Sequence, residues 1–388
     1  MLHSFNRERL ASSGRLAPFS MWKSWPIRLS AVGKLFRPER YNQPFKGLYI
    51  LPIRMCDEKK VKMTKLIGTH DGTFHCDEVL ACSFLKMLPE YKHAEIIRSR
   101  DPEKLAECDI VVDVGGVYDP AKHRYDHHQR AFDGTMACLA QKKWQTKLSS
   151  AGLVYLHFGH QILSQIVGEA VEKKDVEVLY DKLYENFIEE IDAIDNGVNQ
   201  HDGESRYRIT TTLSSRVSYL NPRWNDQSPD PWKGFEKAME LVRSEFLDRV
   251  SYFKESWLPA RCIVESAIKE RAKVHESGEI INFGKGGCPW KDHLFEIEKE
   301  LGMENKIKYV LFTDQNGKWR VQCVPIGLSS FENRLSLPEE WRGVRDEELT
   351  RISGIAGCIF VHASGFIGGN ATYEGALEMA RQSLNREK

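Results

Sequence analysis

Six of the thirteen histidines lie between His70 and His128, interleaved with Asp77, Asp113 and Asp126 in two tight groups, His70-x4-His75-x-Asp77 and Asp126-His127-His128. Imidazole nitrogen beside carboxylate oxygen suits a divalent ion such as manganese, magnesium or zinc. Crowded ionisable groups repel one another without such an ion, so the pattern predicts a metal-dependent hydrolase. A pair of ions sharing one carboxylate needs about seven or eight protein donors, and the ions then clamp a phosphoryl group. The sequence supplies His70, His75, Asp77, Asp113 as the bridge, Asp126 with His127, and Asp195 or Asp192 from a helix end. His128 is left to donate to a phosphate oxygen or to protonate a leaving group, which makes His128, Asp113 and Asp126 the candidate catalytic residues. Arg124 and Arg130 flank the triplet and could fork onto phosphate oxygens.

These residues need elements to hold them. Beyond residue 62, short apolar runs alternate with helical patterns, as in a parallel sheet flanked by helices. Residues 65–69 form an expected strand, 77–88 a helix with Val79, Leu80, Phe84, Leu85 and Leu88 on one face, 95–98 a second strand, and Pro102 begins a short helix. Residues 109–114 are an expected buried strand ending at Asp113 and turning at Gly115-Gly116. His70 and Asp113 then both sit at strand carboxyl ends, where open α/β sheets place ligands. Ser149 or Ser150 caps a helix through Ile162, and another spans 176–194 with Asp192 on its exposed face. A loop at 221–233 precedes two amphipathic helices to about 276, followed by strands at 308–313, 318–324 and 357–362, a Gly-rich turn and a helix from Tyr373.

The expected division is a basic targeting or disordered segment at 1–62, a metal-binding catalytic domain at 63–232, connecting helices at 233–276, and a smaller α+β substrate-binding domain at 277–388. The formal net charge is zero, yet residues 1–62 carry thirteen Lys or Arg against four Asp or Glu, so the remainder is near −9. An acidic body is poorly suited to wrapping long duplex, and short or single-stranded phosphoesters fit it better. The basic segment resembles a mitochondrial presequence. Nine scattered cysteines without a C-x-x-C pair exclude a thiolate zinc site and point to a reducing compartment. No stretch reaches the length of a membrane span, and Walker, G-x-S-x-G, G-x-G-x-x-G and deaminase motifs are absent. Cys76 is expected to be a small packed residue, and His93 and His123 surface residues.

At Asp126-His127-His128, with the upstream His/Asp cluster and Asp113, the sequence resembles the DHH phosphoesterase superfamily. Ile67-Gly-Thr-His70-Asp-Gly-Thr-Phe-His75-Cys-Asp77-Glu, Val112-Asp-Val-Gly-Gly116, His123-Arg-Tyr-Asp-His-His-Gln129 and the run from Gly357 to Gly369 are similar to one branch of it, the melanocyte proliferating gene exonuclease family. The resemblance covers about residues 63 to 386. It implies an α/β fold with a DHH-type parallel sheet and a second smaller domain, manganese or magnesium as cofactor, and 3′-to-5′ exonuclease action on single-stranded RNA in mitochondria and in the nucleus or nucleolus. His362-Ala-Ser-Gly-Phe-Ile-Gly-Gly-Asn370 resembles the superfamily's glycine-rich substrate motif, which makes His362, Ser364, Gly365, Gly368, Gly369 and Asn370 candidate substrate contacts. One departure stands out: His75 occupies the place of the superfamily's first Asp, which favours manganese, iron or zinc over magnesium.

The expected function is thus a two-metal phosphodiesterase, manganese-dependent, acting on single-stranded RNA or short oligonucleotides and not on membranes. An oligonucleotide or dinucleotide phosphodiesterase, or a pyrophosphatase, would use the same metal geometry. A non-catalytic metal-binding regulatory module is the alternative outside enzymology.

Overall fold

The computed structural model describes residues 64–387, and the targeting expectation for 1–62 lies outside them. The described residues form one compact unit, a mixed α/β fold built on two five-stranded sheets. The first sheet contains β1 (Leu66–Thr69), β2 (Glu95–Arg98), β3 (Ile110–Val112), β4 (Tyr118–Asp119) and β5 (Arg124–Tyr125) in the order β2-β1-β3-β5-β4. Pairings β2·β1, β1·β3 and β3·β5 are parallel, and only the β4 edge is antiparallel. β1 and β3 are therefore parallel neighbours, and their carboxyl ends deliver His70 and Asp113 side by side.

Helix α1 (Cys76–Met87) comes after β1 and buries Val79, Leu80, Phe84 and Leu85 completely. Each of these side chains removed from water contributes roughly 1.5–3 kcal/mol. After α2 (Pro102–Ala106) and α3 (Met136–Ala140), α4 (Ser150–Val167) packs on α1, its N-terminus capped by the Ser149 hydroxyl. α5 (Lys173–Leu183) runs through a π-turn at Tyr184–Ile188 into α6 (Glu189–Asp195), where the sequence suggested one regular helix. The π-turn inserts a residue and rotates the next turns of helix by about 100°. Asp192 is consequently fully buried, not on the exposed face that a uniform 3.6-residue period assigns it.

Short helix α7 (Leu213–Ser218) has no counterpart in the sequence reading; Thr212 caps it, and it buries Leu213 and Val217. α8 begins at Pro231 because Asp230-Pro231 is an N-cap followed by a first-turn proline, with Asp230 Oδ1 accepting the Lys233 N–H at 2.9 Å. α8 (Pro231–Tyr252) then passes through a second π-turn into α9 (Leu258–Lys269), and α10 (Arg271–Val274) comes next.

The second sheet contains β6 (Ile280–Lys285), β7 (Tyr309–Thr313), β8 (Trp319–Cys323), β9 (Cys358–Val361) and β10 (Ile367–Asn370), ordered β6-β7-β8-β10-β9. It is parallel only between β6 and β7. Helices α11 (Lys291–Glu300), α12 (Asp346–Ser353) and α13 (Tyr373–Glu387) complete this part. The glycine-rich turn expected after residue 362 is confined to residues 363–366, and Gly368 and Gly369 lie in strand β10. Gly368 and Gly369 serve packing there, because a Cβ on Gly368 would lie 2.8 Å from Met379 Cε and one on Gly369 2.7 Å from an Arg320 nitrogen. Among the described residues no helix is long and apolar enough to cross a membrane.

Candidate metal centre

The carboxyl end of β3 sets the centre. Asp113 adopts a left-handed backbone (φ 58°), a conformation that Asp tolerates better than most residues but that is still strained. Its carboxylate is buried and faces two imidazoles: His70 Nε2 at 3.3 Å from Oδ2 and His127 Nε2 at 3.4 Å from Oδ1. The Ser150 hydroxyl, from the first turn of α4, donates to Oδ1 at 3.0 Å.

The start of α1 supplies the next donors. His75 is its N-cap, and Glu78 accepts the His75 N–H at 2.8 Å, so Asp77 and Glu78 both lie in the first turn, where the helix dipole favours negative charge. Glu78 Oε1 also lies 2.9 Å from His70 Nε2. Asp77 is fully buried, and neither of its oxygens has a hydrogen-bond partner. From the end of α6, Asp195 Oδ2 comes within 3.0 Å of His127 Nε2.

Hydrogen bonds on the far side of each ring decide which nitrogen faces the carboxylates. His70 Nδ1 lies 2.9 Å from the Asp71 carbonyl, which can only accept, so Nδ1 carries hydrogen. His127 Nδ1 lies 3.3 Å from Asn196 Oδ1, and the Asn196 amide nitrogen donates to Lys147 O and Asp192 O. That fixes the amide orientation and with it the ring. Both Nε2 atoms thus turn toward the acids. Burial opposes a charge on His70, but Asp113 and Glu78 outweigh it and lift its pKa to about 10. Burial likewise opposes His127, and Asp113 with Asp195 raise it to about 9. Burial opposes ionisation of Asp113 too, yet hydrogen bonding to His127 and His70 holds its carboxyl below the usual range.

Eight residues fall into three overlapping groups whose donor atoms lie within 4.8 Å of one another: His70, His75, Glu78 and Asp113; Asp113, His127 and His128; and His75, Asp77 and Asp195. Asp113 and His75 each belong to two groups. The residues fit divalent ions on the strength of the orphaned, buried Asp77 oxygens and of the three carboxylates crowded around the buried His127 Nε2. His75, Asp77, His128 and Asp195 also line a cleft of about 490 Å³.

The remaining candidates fall elsewhere. Asp126 is buried and engaged: Oδ2 accepts the Gly116 N–H at 2.6 Å, and Oδ1 accepts the His128 N–H at 3.0 Å and lies 2.8 Å from His128 Nδ1. It orients His128, whose side chain is 61% exposed, and belongs to none of the three groups. Asp192 is not brought to the cluster. It accepts from Ser149 N, Ser149 Oγ and Tyr184 OH at 3.0, 2.7 and 2.9 Å. Burial pushes its carboxyl up to about 7 against those three donors. Arg124 turns away and donates to the Lys122, His123, Leu105 and Cys108 carbonyls, tying β5 to the turn before β3. Arg130 is exposed after the triplet. In the second sheet region, His362 and Ser364 are exposed and hydrogen-bonded to each other at 2.9 Å, and Gly365 (φ +72°) makes their turn. Asn370 is fully buried, its amide donating to Ala356 O and accepting from Thr372 N, so it holds a turn and offers no free donor. Cys76 is packed, and His93 and His123 are exposed.

Glu78, Ser150 and Asn196 were not anticipated. Glu78 had a signal in its place three residues after an N-cap, and Asn196 in its position beside Asp195. Ser150 had only its place at a helix start.

The MYG1 exonuclease family model, described as an uncharacterised protein family (UPF0160), matches residues 66–384. The chain belongs to this family. The MYG1 exonuclease of Rattus norvegicus is 62% identical over 320 residues, covering 82% of this chain and 84% of its own. The human MYG1 exonuclease is 61% identical over 82% of this chain and 85% of its own. The MYG1 protein of Saccharomyces cerevisiae is 45% identical over 83% and 96%. A solved pGpG-specific phosphodiesterase, PggH from Vibrio cholerae, aligns over 83% of this chain and 98% of its own at 13% identity, with a TM-score of 0.26. MYG1 family membership thus spans both sheets and every residue of the candidate metal centre.

Proposed function

We propose that the protein is a two-metal phosphodiesterase that removes nucleotides from the 3′ end of single-stranded RNA, with manganese the preferred ion. The observation that carries this is Asp113, shared between two donor groups at a strained strand end, with both oxygens of the neighbouring Asp77 buried and unpartnered. The family supports a nuclease, and the donor set, rich in imidazole, favours manganese over magnesium. His70, Glu78, His75 and Asp113 would hold one ion, and Asp113, His127, Asp77 and Asp195 the other. When bound, such a pair supplies Lewis acidity at the phosphoryl group.

The chain's own residues do the rest. Asp126 fixes the His128 ring through Nδ1, leaving Nε2 toward solvent, where it can hand a proton to the departing ribose oxygen. The Asp71 carbonyl and Asn196 Oδ1 accept at Nδ1 of His70 and His127, so the two Nε2 lone pairs are the ones that would hold an ion. We assign residues 63–232 to the catalytic domain, 233–276 to connecting helices and 277–388 to substrate binding, with His362, Ser364 and Gly365 as the second domain's contacts. Residues 1–62 direct the protein to mitochondria, with a second pool in the nucleus. A fluorescent fusion of 1–62 that stays diffuse would remove the targeting role.

End-labelled single-stranded RNA incubated with the purified protein and manganese should shorten stepwise from its 3′ end. Asp113→Ala should abolish this with the fold retained. Cleavage of dinucleotides or pyrophosphate alone would replace the RNA substrate, and absence of any metal-stimulated release would leave a binding module.

A further inference from the structure

The cleft beside the metal donors has a second lining that no expected ligand occupies. It comes from α7, whose residues Ser214, Ser215, Ser218 and Tyr219 share one helical face. The other face is anchored: Leu213 and Val217 are buried, and Arg216 pairs with Glu245 of α8 at 2.9 Å. The exposed face is therefore held in place while making little use of its own groups. Ser215 is engaged with Thr212, and Ser214 with Cys76. Tyr219, the helix C-cap, is 75% exposed, and its side chain has no hydrogen bond or ring contact with any described residue. Ser218 is exposed as well.

An unpacked tyrosine is ordinary on a protein surface, but this one shares a cleft with four metal-donor candidates. A phosphodiester held at those donors must place its terminal sugar and base in the adjoining space, and about 490 Å³ is within the range of small-ligand pockets. We propose that α7 is the platform for the terminal nucleotide: Tyr219 stacks on its base and the Ser218 hydroxyl contacts its sugar or phosphate. The proposal rests on the phosphodiesterase function above and adds the residues that seat the end being removed. Stacking accepts any base, since each has a π-face, so the platform selects for a base without selecting which one.

Two measurements test it. With an oligoribonucleotide and manganese, Tyr219→Ala should raise KM roughly tenfold, the size of a lost stacking contact, while kcat stays nearly constant and Tyr219→Phe restores KM. An oligoribonucleotide whose 3′-terminal nucleotide lacks its base should show the same KM with both proteins. Equal losses on the two substrates, or no change on the first, would overturn the platform. The second measurement does not need turnover: 2-aminopurine riboside 5′-monophosphate, which has no diester to cleave, should lose fluorescence on binding the native protein with manganese and not on binding Tyr219→Ala. Quenching that depends on Tyr219 in a protein without nuclease activity would keep the platform and defeat the hydrolase. No quenching by the native protein would defeat the platform whatever the activity.

Discussion

Replacing Asp77 with Asn should make the metal-free protein more stable, the reverse of what removing a buried charged residue usually does. Asp77 is fully buried with both oxygens unpartnered. Burial first, and then the charges of Asp113, Asp195 and Glu78, hold its carboxyl well above the usual range. His127 Nε2, 3.8 Å away, offsets part of this. Keeping this carboxyl protonated in the fold at neutral pH while the unfolded chain's ionises costs several kcal/mol, whereas an unsatisfied amide costs about 1–3 kcal/mol, leaving a net gain for Asn of roughly 2 kcal/mol. For a unit of this size that corresponds to a rise in Tm of roughly 3 °C. The pH dependence has a definite sign. A carboxyl raised in the folded state contributes stability that is complete below its unfolded value of about 4 and is lost as pH rises toward the folded value. Native protein in chelator should therefore lose stability with rising pH, Asp77→Asn should lose less, and the gap should widen. Manganese should reverse the order, because only the native protein gains the ion's binding energy. Thermal unfolding with chelator and with manganese, across neutral and alkaline pH, measures all of this. A lower Tm for Asp77→Asn in chelator at every pH would refute the claim that this carboxylate is held in place for a cation.

Asn196→Leu should leave the fold intact but weaken manganese binding about 10- to 100-fold, since the His127 ring loses the acceptor that orients it; calorimetric titration reads this directly. Asp192→Ala should instead destabilise by about 1–3 kcal/mol through the stranded Ser149 and Tyr184 donors, which thermal unfolding in chelator measures. In the second sheet, Gly368→Ala should lower Tm, because its Cβ would press on Met379 and Leu337, whereas His362→Ala should leave Tm unchanged and raise KM for RNA.

The strand ends are legible in the sequence because β1 and β3 are short apolar runs that stop at His70 and Asp113, and chemistry placed at a parallel strand's carboxyl end has few alternatives. Helix α1 is readable for the same reason: its apolar face repeats cleanly until Leu88. What periodicity cannot carry is a break in the period. The π-turn at Tyr184–Ile188 turns Asp192 inward with no glycine or proline to announce it. Arg124 misleads because an arginine beside the triplet matches phosphate binding as well as it matches four backbone carbonyls, and only the packing of β5 decides between them. Gly368 and Gly369 look like a flexible turn in one dimension, yet they are strand residues thinned to let α13 and Arg320 approach. Short α7 escapes notice because two apolar residues in six carry almost no pattern.

Adjacent serines at the start of α4 grip two acids from different parts of the chain: Ser149 takes Asp192, which sits one turn before Asp195, and Ser150 takes Asp113. The interval between the sheet-end and helix-end ligands is thereby gauged by a single peptide unit. Fraying of that first turn would release the sheet-end and helix-end donors together, so metal uptake at the proposed centre should be all-or-none. Amide hydrogen exchange at the first turn of α4 should slow sharply in manganese, although neither serine is among the metal-donor candidates.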